Sequence, residues 1–223
     1  MEPTSLEEID TLLRREDAQS VADSLVDLVA QVANDGAKFD ELVEHYGASE
    51  HASLQRVLTF FVSRRAPSSK GPNRNLIYSL VPATIGSRDA SALTNAITTV
   101  KLLAMHGPPW YPPEQSPPHE LVELLVAGLR RASRTVEPAF DLLDRLAVDE
   151  LFLGLDRPSR RLLVDALDPV RELLDPDRFT IVIDALSDSP GSRTLVPSIG
   201  SHAADALVPE SGAAEQAHRT DKA

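Results

Sequence analysis

The sequence predicts an all-α protein of about ten helices, arranged in antiparallel pairs as a solenoid-like stack or an irregular bundle. Apolar residues recur at three- and four-residue spacing through nearly the whole chain, which is the period of amphipathic helices. Proline stands repeatedly where a helix would begin, a position at which its missing N–H is not needed. The one stretch rich in β-branched residues, 179–183, has no convincing second strand to pair with, so we predict that it is helical.

Four helices are predicted before residue 66. The first has Glu7 and Glu8 in its first turn, where the helix dipole favours acidic side chains. The second stops at the turn formed by residues 34–36, the short third ends at Gly47, and the fourth begins at Ser49. The apolar stripes that define these helices are Leu6, Ile9, Leu12 and Leu13; Val21, Leu25, Leu28, Val29 and Val32; Phe39, Leu42, Val43 and Tyr46; and Leu54, Val57, Leu58, Phe61 and Val62.

The rest of the chain continues the helical pattern around two breaks. A turn-rich loop follows the fourth helix, and six prolines interrupt the chain within residues 106–118. The break at 106–118 is predicted to connect an N-terminal half, 1–105, to a repeat-like C-terminal half, 119–208. Helices are predicted at 76–85, which Pro82 must kink or end, and at 91–105, 119–134, 138–147, 158–167, 169–174 and 176–186. Residues 209–223 are small and polar, and we expect them to be a disordered tail.

A short motif recurs in the C-terminal half. Asp144-Arg-Leu, Asp165-Ala-Leu, Asp184-Ala-Leu and Asp205-Ala-Leu follow one another at intervals of 21, 19 and 21 residues. One helix and a turn per ~20 residues gives a helix pair per ~40, which is the repeat length of HEAT and armadillo solenoids. The chain resembles that class in its period and its short connections. An irregular helical bundle would have similar spacing, and both arrangements stay open here.

Acidic residues are unevenly distributed along the chain. Residues 1–50 hold 13 acids and 3 bases, whereas residues 51–113 hold seven bases and one acid, Asp89, a net charge of +6. Residues 114–223 have a net charge of −8, and the whole chain has −12. We call residues 51–113 the acid-poor segment. Such asymmetry predicts either a surface that meets a partner or a deeply packed segment.

The bases of the acid-poor segment are the first candidate binding residues. Several of them fall in or beside the acid-free loop that follows the fourth helix. Arginines at a helix end also complement its dipole, so part of this charge has a structural use. The number of bases exceeds what helix capping needs, and this predicts an anionic partner: an acidic protein face, a phosphorylated ligand or nucleic-acid phosphate. The candidates are Arg56, Arg64, Arg65, Lys70, Arg74 and Arg88.

Trp110 and Tyr111, within the proline-rich break, are the second candidate. Trp110 is the only tryptophan of the chain, and aromatic residues held by prolines lose little entropy when they anchor a partner. The alternative, which we favour, is that Trp110 fills a gap between the two halves while the prolines stiffen their connection.

Motifs of catalysis and metal binding are missing from the sequence. It contains no GxSxG, SxxK, Walker or dinucleotide-binding pattern, and the pair Glu41 and His45 would supply only two of the three or four ligands that a metal needs. We therefore expect no catalytic residue, metal or cofactor.

The leading hypothesis is a soluble, non-enzymatic interaction or scaffold protein that uses the acid-poor segment to meet a protein partner, with self-association as one possibility. An accessory nucleic-acid-binding protein using residues 64–74 is the alternative, and an enzyme with a cleft between the halves is a further one. Cysteine is absent, and neither a secretory signal nor a membrane span is recognised, so a cytoplasmic location is expected.

Overall fold

A computed structural model describes residues 3–14, 18–65, 76–105, 119–148 and 151–187. Ten α-helices and two 3₁₀ helices account for most of these ranges, and no strand occurs in them, which confirms the all-α prediction. The α-helices are α1 (Pro3–Leu13), α2 (Ala18–Ala33), α3 (Gly36–Tyr46), α4 (Ala52–Arg65), α5 (Leu76–Gly86), α6 (Ala90–Met105), α7 (His119–Arg131), α8 (Ser133–Val148), α9 (Arg157–Leu167) and α10 (Pro176–Ser187). The 3₁₀ helices cover Leu151–Gly154 and Asp168–Leu173.

The predicted start of a helix at Pro138 is wrong, because α8 begins five residues earlier, at Ser133. The buried hydroxyl oxygen of Thr135 lies 2.6 Å from the carbonyl oxygen of Gly128 and 2.8 Å from that of Ala132, and its single proton is shared between the two. These bonds satisfy carbonyls where α7 gives way to α8. Pro138 then lies inside α8, within its second turn.

Helix α5 agrees with the predicted range 76–85 to within one residue, since Pro82 is exposed and does not end the helix, which continues to Gly86. The helix predicted at 169–174 is a 3₁₀ helix, and the 3₁₀ turn at Leu151–Gly154 was not predicted. The β-branched stretch 179–183 is helical, as expected, and lies within α10.

The helices pack in two layers. Each of α2, α4, α6 and α8 packs against the helix two positions further along the chain, and α3, α5 and α7 do the same in the other layer. Helix α1 packs on α2, and α7 packs along α8. Contacts between alternate helices are expected in a stack of helix pairs. The resemblance to HEAT and armadillo repeats stays a prediction, since it rests on period and connection length.

The described part of the acid-poor segment, residues 51–65 and 76–105, lies in the middle of this stack. Its described parts include α4, α5 and α6, and within α5 only Ser79 and Pro82 are exposed. One continuous cluster of buried side chains runs from Ile9 in α1 to Leu186 in α10. Acids are therefore scarce in the part of the chain that has most of its surface covered, where an unpaired carboxylate would be unfavourable.

Several sequence predictions fall outside the described residues. They include the break at 106–118, the fourth copy of the recurring motif at Asp205 and the tail at 209–223. All described helices belong to one unit of the chain, residues 1–188. Among the described helices, none combines the length and the apolar character that a membrane crossing requires.

Gly128 lets three helices approach closely. A Cβ atom at this position of α7 would lie 2.7 Å from Ala139 Cβ of α8 and 2.7 Å from Ile97 Cδ1 of α6. Both distances are shorter than a van der Waals contact, and the methyl group of Ala139 is fixed to its backbone. The close packing of α7 on α8 therefore requires glycine here.

We expect Gly128→Ala to lower the free energy of unfolding by about 1–2 kcal/mol. Overpacking a core costs about 1–3 kcal/mol, and the better helix propensity of alanine offsets up to about 1 kcal/mol of that loss. Gly86→Ala is the control, because its Cβ would meet only the flexible end of the Glu50 side chain. Urea titration of both variants measures the difference, and equal stabilities would contradict the close-approach argument.

Candidate interaction surface

One face of α4 is exposed and carries an aromatic ring between two arginines. Arg56, Phe60 and Arg64 are four residues apart and therefore lie along the same side of the helix. We call these three residues the α4 stripe. The opposite side of α4 is buried in the core and consists of Leu54, Val57, Leu58 and Val62.

Phe60 is held in place although its side chain is 39% exposed. Its ring meets Phe61 edge to face, with 5.3 Å between centroids, and the Arg64 guanidinium lies 5.5 Å from its centroid. Both contacts are attractive because the ring face is electron-rich. The ring is therefore oriented before any partner arrives.

Arg56 pairs with Asp89, the single acid of the acid-poor segment. The Arg56 Nε donates to Asp89 Oδ2 at 3.2 Å, and the Ala92 amide donates to Asp89 Oδ1 at 2.8 Å, so that Asp89 also caps α6. Burial alone would raise the pKa of Asp89, but the hydrogen bonds from Arg56 and Ala92 prevail and lower it. This carboxylate ties α4 to the start of α6.

Arg65 faces the core side of α4. Its Nη1 lies 3.7 Å from Asp40 Oδ1, and its guanidinium stacks 4.8 Å from the centroid of the Phe39 ring. Both partners belong to α3. Arg65 thus links α4 to α3.

Lys101 of the acid-poor segment joins a larger ionic cluster. Its Nζ donates to Asp141 of α8 at 2.8 Å, and Arg178 of α10 donates to Asp141 at 2.8 Å and to Asp144 at 2.9 Å. Burial would raise the pKa of Asp141, but the hydrogen bonds from Lys101 and Arg178 outweigh it and lower the pKa. The Arg178 guanidinium also covers the buried ring of Phe140. This cluster joins α6, α8 and α10 and was not predicted.

The remaining candidate bases divide into two groups. Arg64 and Arg88 are exposed, and no carboxylate of the described ranges lies within 4 Å of either guanidinium. Arg88 adopts a left-handed backbone, with φ of 56°, where the chain turns from α5 to α6. Lys70, Arg74, Trp110 and Tyr111 lie outside the described residues.

Phe60 was not among the predicted binding residues. A signal for it was present in the sequence, because position 60 lies off the apolar stripe of α4 and four residues from each of two arginines. The pairing of Arg56 with Asp89 could not be recognised in this way, since 33 residues separate the two.

The described side chains offer little for metal binding. Within the ranges that the structure covers, no three histidine, aspartate or glutamate side chains converge closely enough to hold an ion. The α4 stripe instead combines an apolar ring with two guanidinium groups, and such side chains are suited to contact with the surface of another molecule.

Comparison with known proteins identifies no significant similarity. No model of a protein family matches the chain, and neither the curated proteins nor the solved structures include a significant match.

Proposed function

We propose that this chain is a non-enzymatic interaction or scaffold protein and that the α4 stripe contacts its protein partner. The observation that carries the proposal is the exposed ring of Phe60, one of only six phenylalanines in the chain, between two arginines. Aromatic residues and arginine are enriched in the contact areas of protein complexes. A ring that is already oriented loses little entropy when a partner covers it.

Arg64 suggests the charge of the partner. Its guanidinium stacks on Phe60 and has no carboxylate within 4 Å among the described residues, so it is available to an acidic group. A charge-assisted hydrogen bond there would add to the burial of the ring. The partner face that fits is therefore apolar at its centre and acidic at its edge.

The helical stack fits a scaffold. Alternating helices in two layers present an extended row of helix surfaces, which supports the proposal that the chain is a repeat-type scaffold similar to HEAT proteins. A cytoplasmic location is part of the same proposal and is supported by the lack of cysteine.

Nucleic-acid binding is less well supported. Of the candidate bases, Arg56 and Arg65 are engaged with Asp89 and Asp40, which leaves fewer guanidinium groups for phosphate. Each phosphate contact steepens the salt dependence of binding, so a protein with few such contacts would show a shallow one.

A photo-crosslinking amino acid in place of Phe60 tests the proposal in cells. We expect one predominant protein adduct that survives nuclease treatment and falls at least about 10-fold when Arg64→Glu is added. The same probe in place of Val148, an exposed apolar residue of α8, is the control. A nuclease-sensitive adduct would favour the nucleic-acid alternative, and identical products at both positions would refute a role for the α4 stripe.

A further inference from the structure

We infer that the partner of the α4 stripe is a second copy of this chain, which receives Phe60 and Arg64 in a groove between its helices α1 and α2. The inference rests on the proposed function, because it names the occupant of the same surface. Two separate features of one chain fit each other: the α4 stripe is a basic aromatic projection, and the groove has an apolar floor and an acidic edge.

The groove has a volume of about 560 Å³ and opens to solvent. Leu12 and Leu28 supply its apolar part, and both also belong to or pack against the core. The side chains that line it are Glu7, Glu8, Thr11, Leu12, Ser24, Asp27 and Leu28. A phenyl ring is small enough to enter a space of this volume, and the two leucines give it an apolar contact.

The charges of the two features are complementary. Three carboxylates line the groove, those of Glu7, Glu8 and Asp27, and none has an ion-pair partner within 4 Å among the described residues. Arg64 likewise has no carboxylate within 4 Å in the described part of the chain. When the ring of Phe60 enters a groove of the second copy, Arg64, one helical turn away, reaches carboxylates at its edge. Each feature thus supplies what the other lacks.

The contact joins unlike surfaces of the two copies and is therefore heterologous. The first copy keeps its own groove free and the second keeps its own α4 stripe free, so that further copies add head to tail. Self-association through this contact is expected to increase with protein concentration and to weaken with salt, because screening reduces the attraction between Arg64 and the carboxylates.

Two complementary variants of the full-length chain test this geometry. Phe60→Ser/Arg64→Ser removes the ring and the Arg64 guanidinium of the α4 stripe and keeps the groove, whereas Glu8→Lys/Asp27→Lys reverses the groove charge and keeps the stripe intact. All four side chains are exposed, so the fold should tolerate these changes. By sedimentation velocity, we expect the wild-type chain to form species beyond the dimer at low salt. Each variant alone should self-associate at least about 10-fold more weakly.

Mixing the two variants gives the decisive result. One intact stripe and one intact groove remain in the mixture, so we expect a 1:1 dimer and nothing larger. Arg134→Ser/Val148→Ser and Glu44→Lys/Glu172→Lys change exposed residues of the same kinds elsewhere and should assemble like the wild type. Circular dichroism checks that every variant is folded.

Failure of this inference can be told apart from failure of the proposed function. A wild-type chain that stays monomeric, or a mixture that gives no dimer, overturns the second copy as the partner. If the crosslink from position 60 to another protein persists in that case, the α4 stripe remains an interaction surface with a different occupant. If the crosslink is absent as well, both proposals are overturned.

Discussion

Gln55→Leu is expected to lower the free energy of unfolding by about 3–5 kcal/mol, because buried groups would lose their hydrogen bonds. Gln55 is fully buried, and its Nε2 donates to the carbonyl oxygens of Gly47, at 3.2 Å, and Ser49, at 2.6 Å. Its Oε1 accepts from the Thr84 hydroxyl at 3.1 Å. One side chain thus joins the end of α3, the following turn, α4 and α5. Leucine fills a similar volume but satisfies none of these groups.

Thermal unfolding measures the effect, and a loss of this size corresponds to a decrease in Tm of about 10 °C in a chain of this length. Gln31→Leu, at an exposed position of α2, is the matched control and should stay within about 0.5 kcal/mol of the wild type. Thr84→Val combined with Gln55→Leu should destabilise less than the sum of the two single changes, because both partners of one hydrogen bond are then removed together. Full additivity would contradict the coupling.

The helices could be predicted because most of their information is local. The apolar stripe of α2 predicted this helix without knowledge of its neighbours. The errors lie where a distant group decides the outcome. Pro138 has the local signature of a helix start, but hydrogen bonds of the Thr135 side chain at the junction with α7 place that start at Ser133. For α5 the predicted range 76–85 was correct to one residue, and burial of the helix on most sides maintains it beyond Pro82.

The candidate surface was predictable only in part, because charge pairing is not local. The sequence identifies an acid-poor segment and treats its bases as one group. The structure separates them, since Lys101 pairs with Asp141, 40 residues away, and Arg65 pairs with Asp40 on another helix. Such partners depend on which helices become neighbours, and the spacing of one helix does not contain that information. The arginine at position 64 stays unpaired among the described residues because it lies on the exposed side of α4.

The persistence of bases in a buried segment then has a physical explanation. Acids would be unfavourable inside the stack without a partner, whereas the long side chains of arginine and lysine reach its edge and meet acids of neighbouring helices. Asp89 is the one acid of the acid-poor segment, and its carboxylate both caps α6 and forms an ion pair with Arg56, so it is not left without a partner. The acid-poor composition thus follows largely from packing, whereas Phe60 and Arg64 of the α4 stripe are exposed and take part in none of these ion pairs.

Asp89→Ala is expected to lower the free energy of unfolding by about 2–3 kcal/mol. Loss of a helix N-cap costs about 1 kcal/mol, and loss of a hydrogen bond to a charged group costs about 1.5–3 kcal/mol. The second cost is smaller at Asp89, because the Arg56 side chain is half-exposed and solvent screens its charge. Asp156→Ala is the matched control, since Asp156 caps α9 by a bond to the Ser159 amide but is exposed and lacks an arginine partner of this kind. A loss at Asp89 no larger than that at Asp156 would show that Arg56 contributes nothing.

The pH dependence of stability separates the charge of Asp89 from its shape. Because the folded-state pKa of Asp89 is lowered, its ionised form contributes stability that is fully present above the unfolded-state pKa of about 3.9 and is lost as the pH falls through the folded-state value. Asp89→Asn keeps the size of the side chain and removes this titration. We therefore expect the stability difference between the wild type and Asp89→Asn to be constant above about pH 5 and to shrink below about pH 4. Urea titrations between pH 7 and pH 2.5 measure it, and a difference that stays constant down to the lowest pH would mean that Asp89 stabilises the fold without its charge.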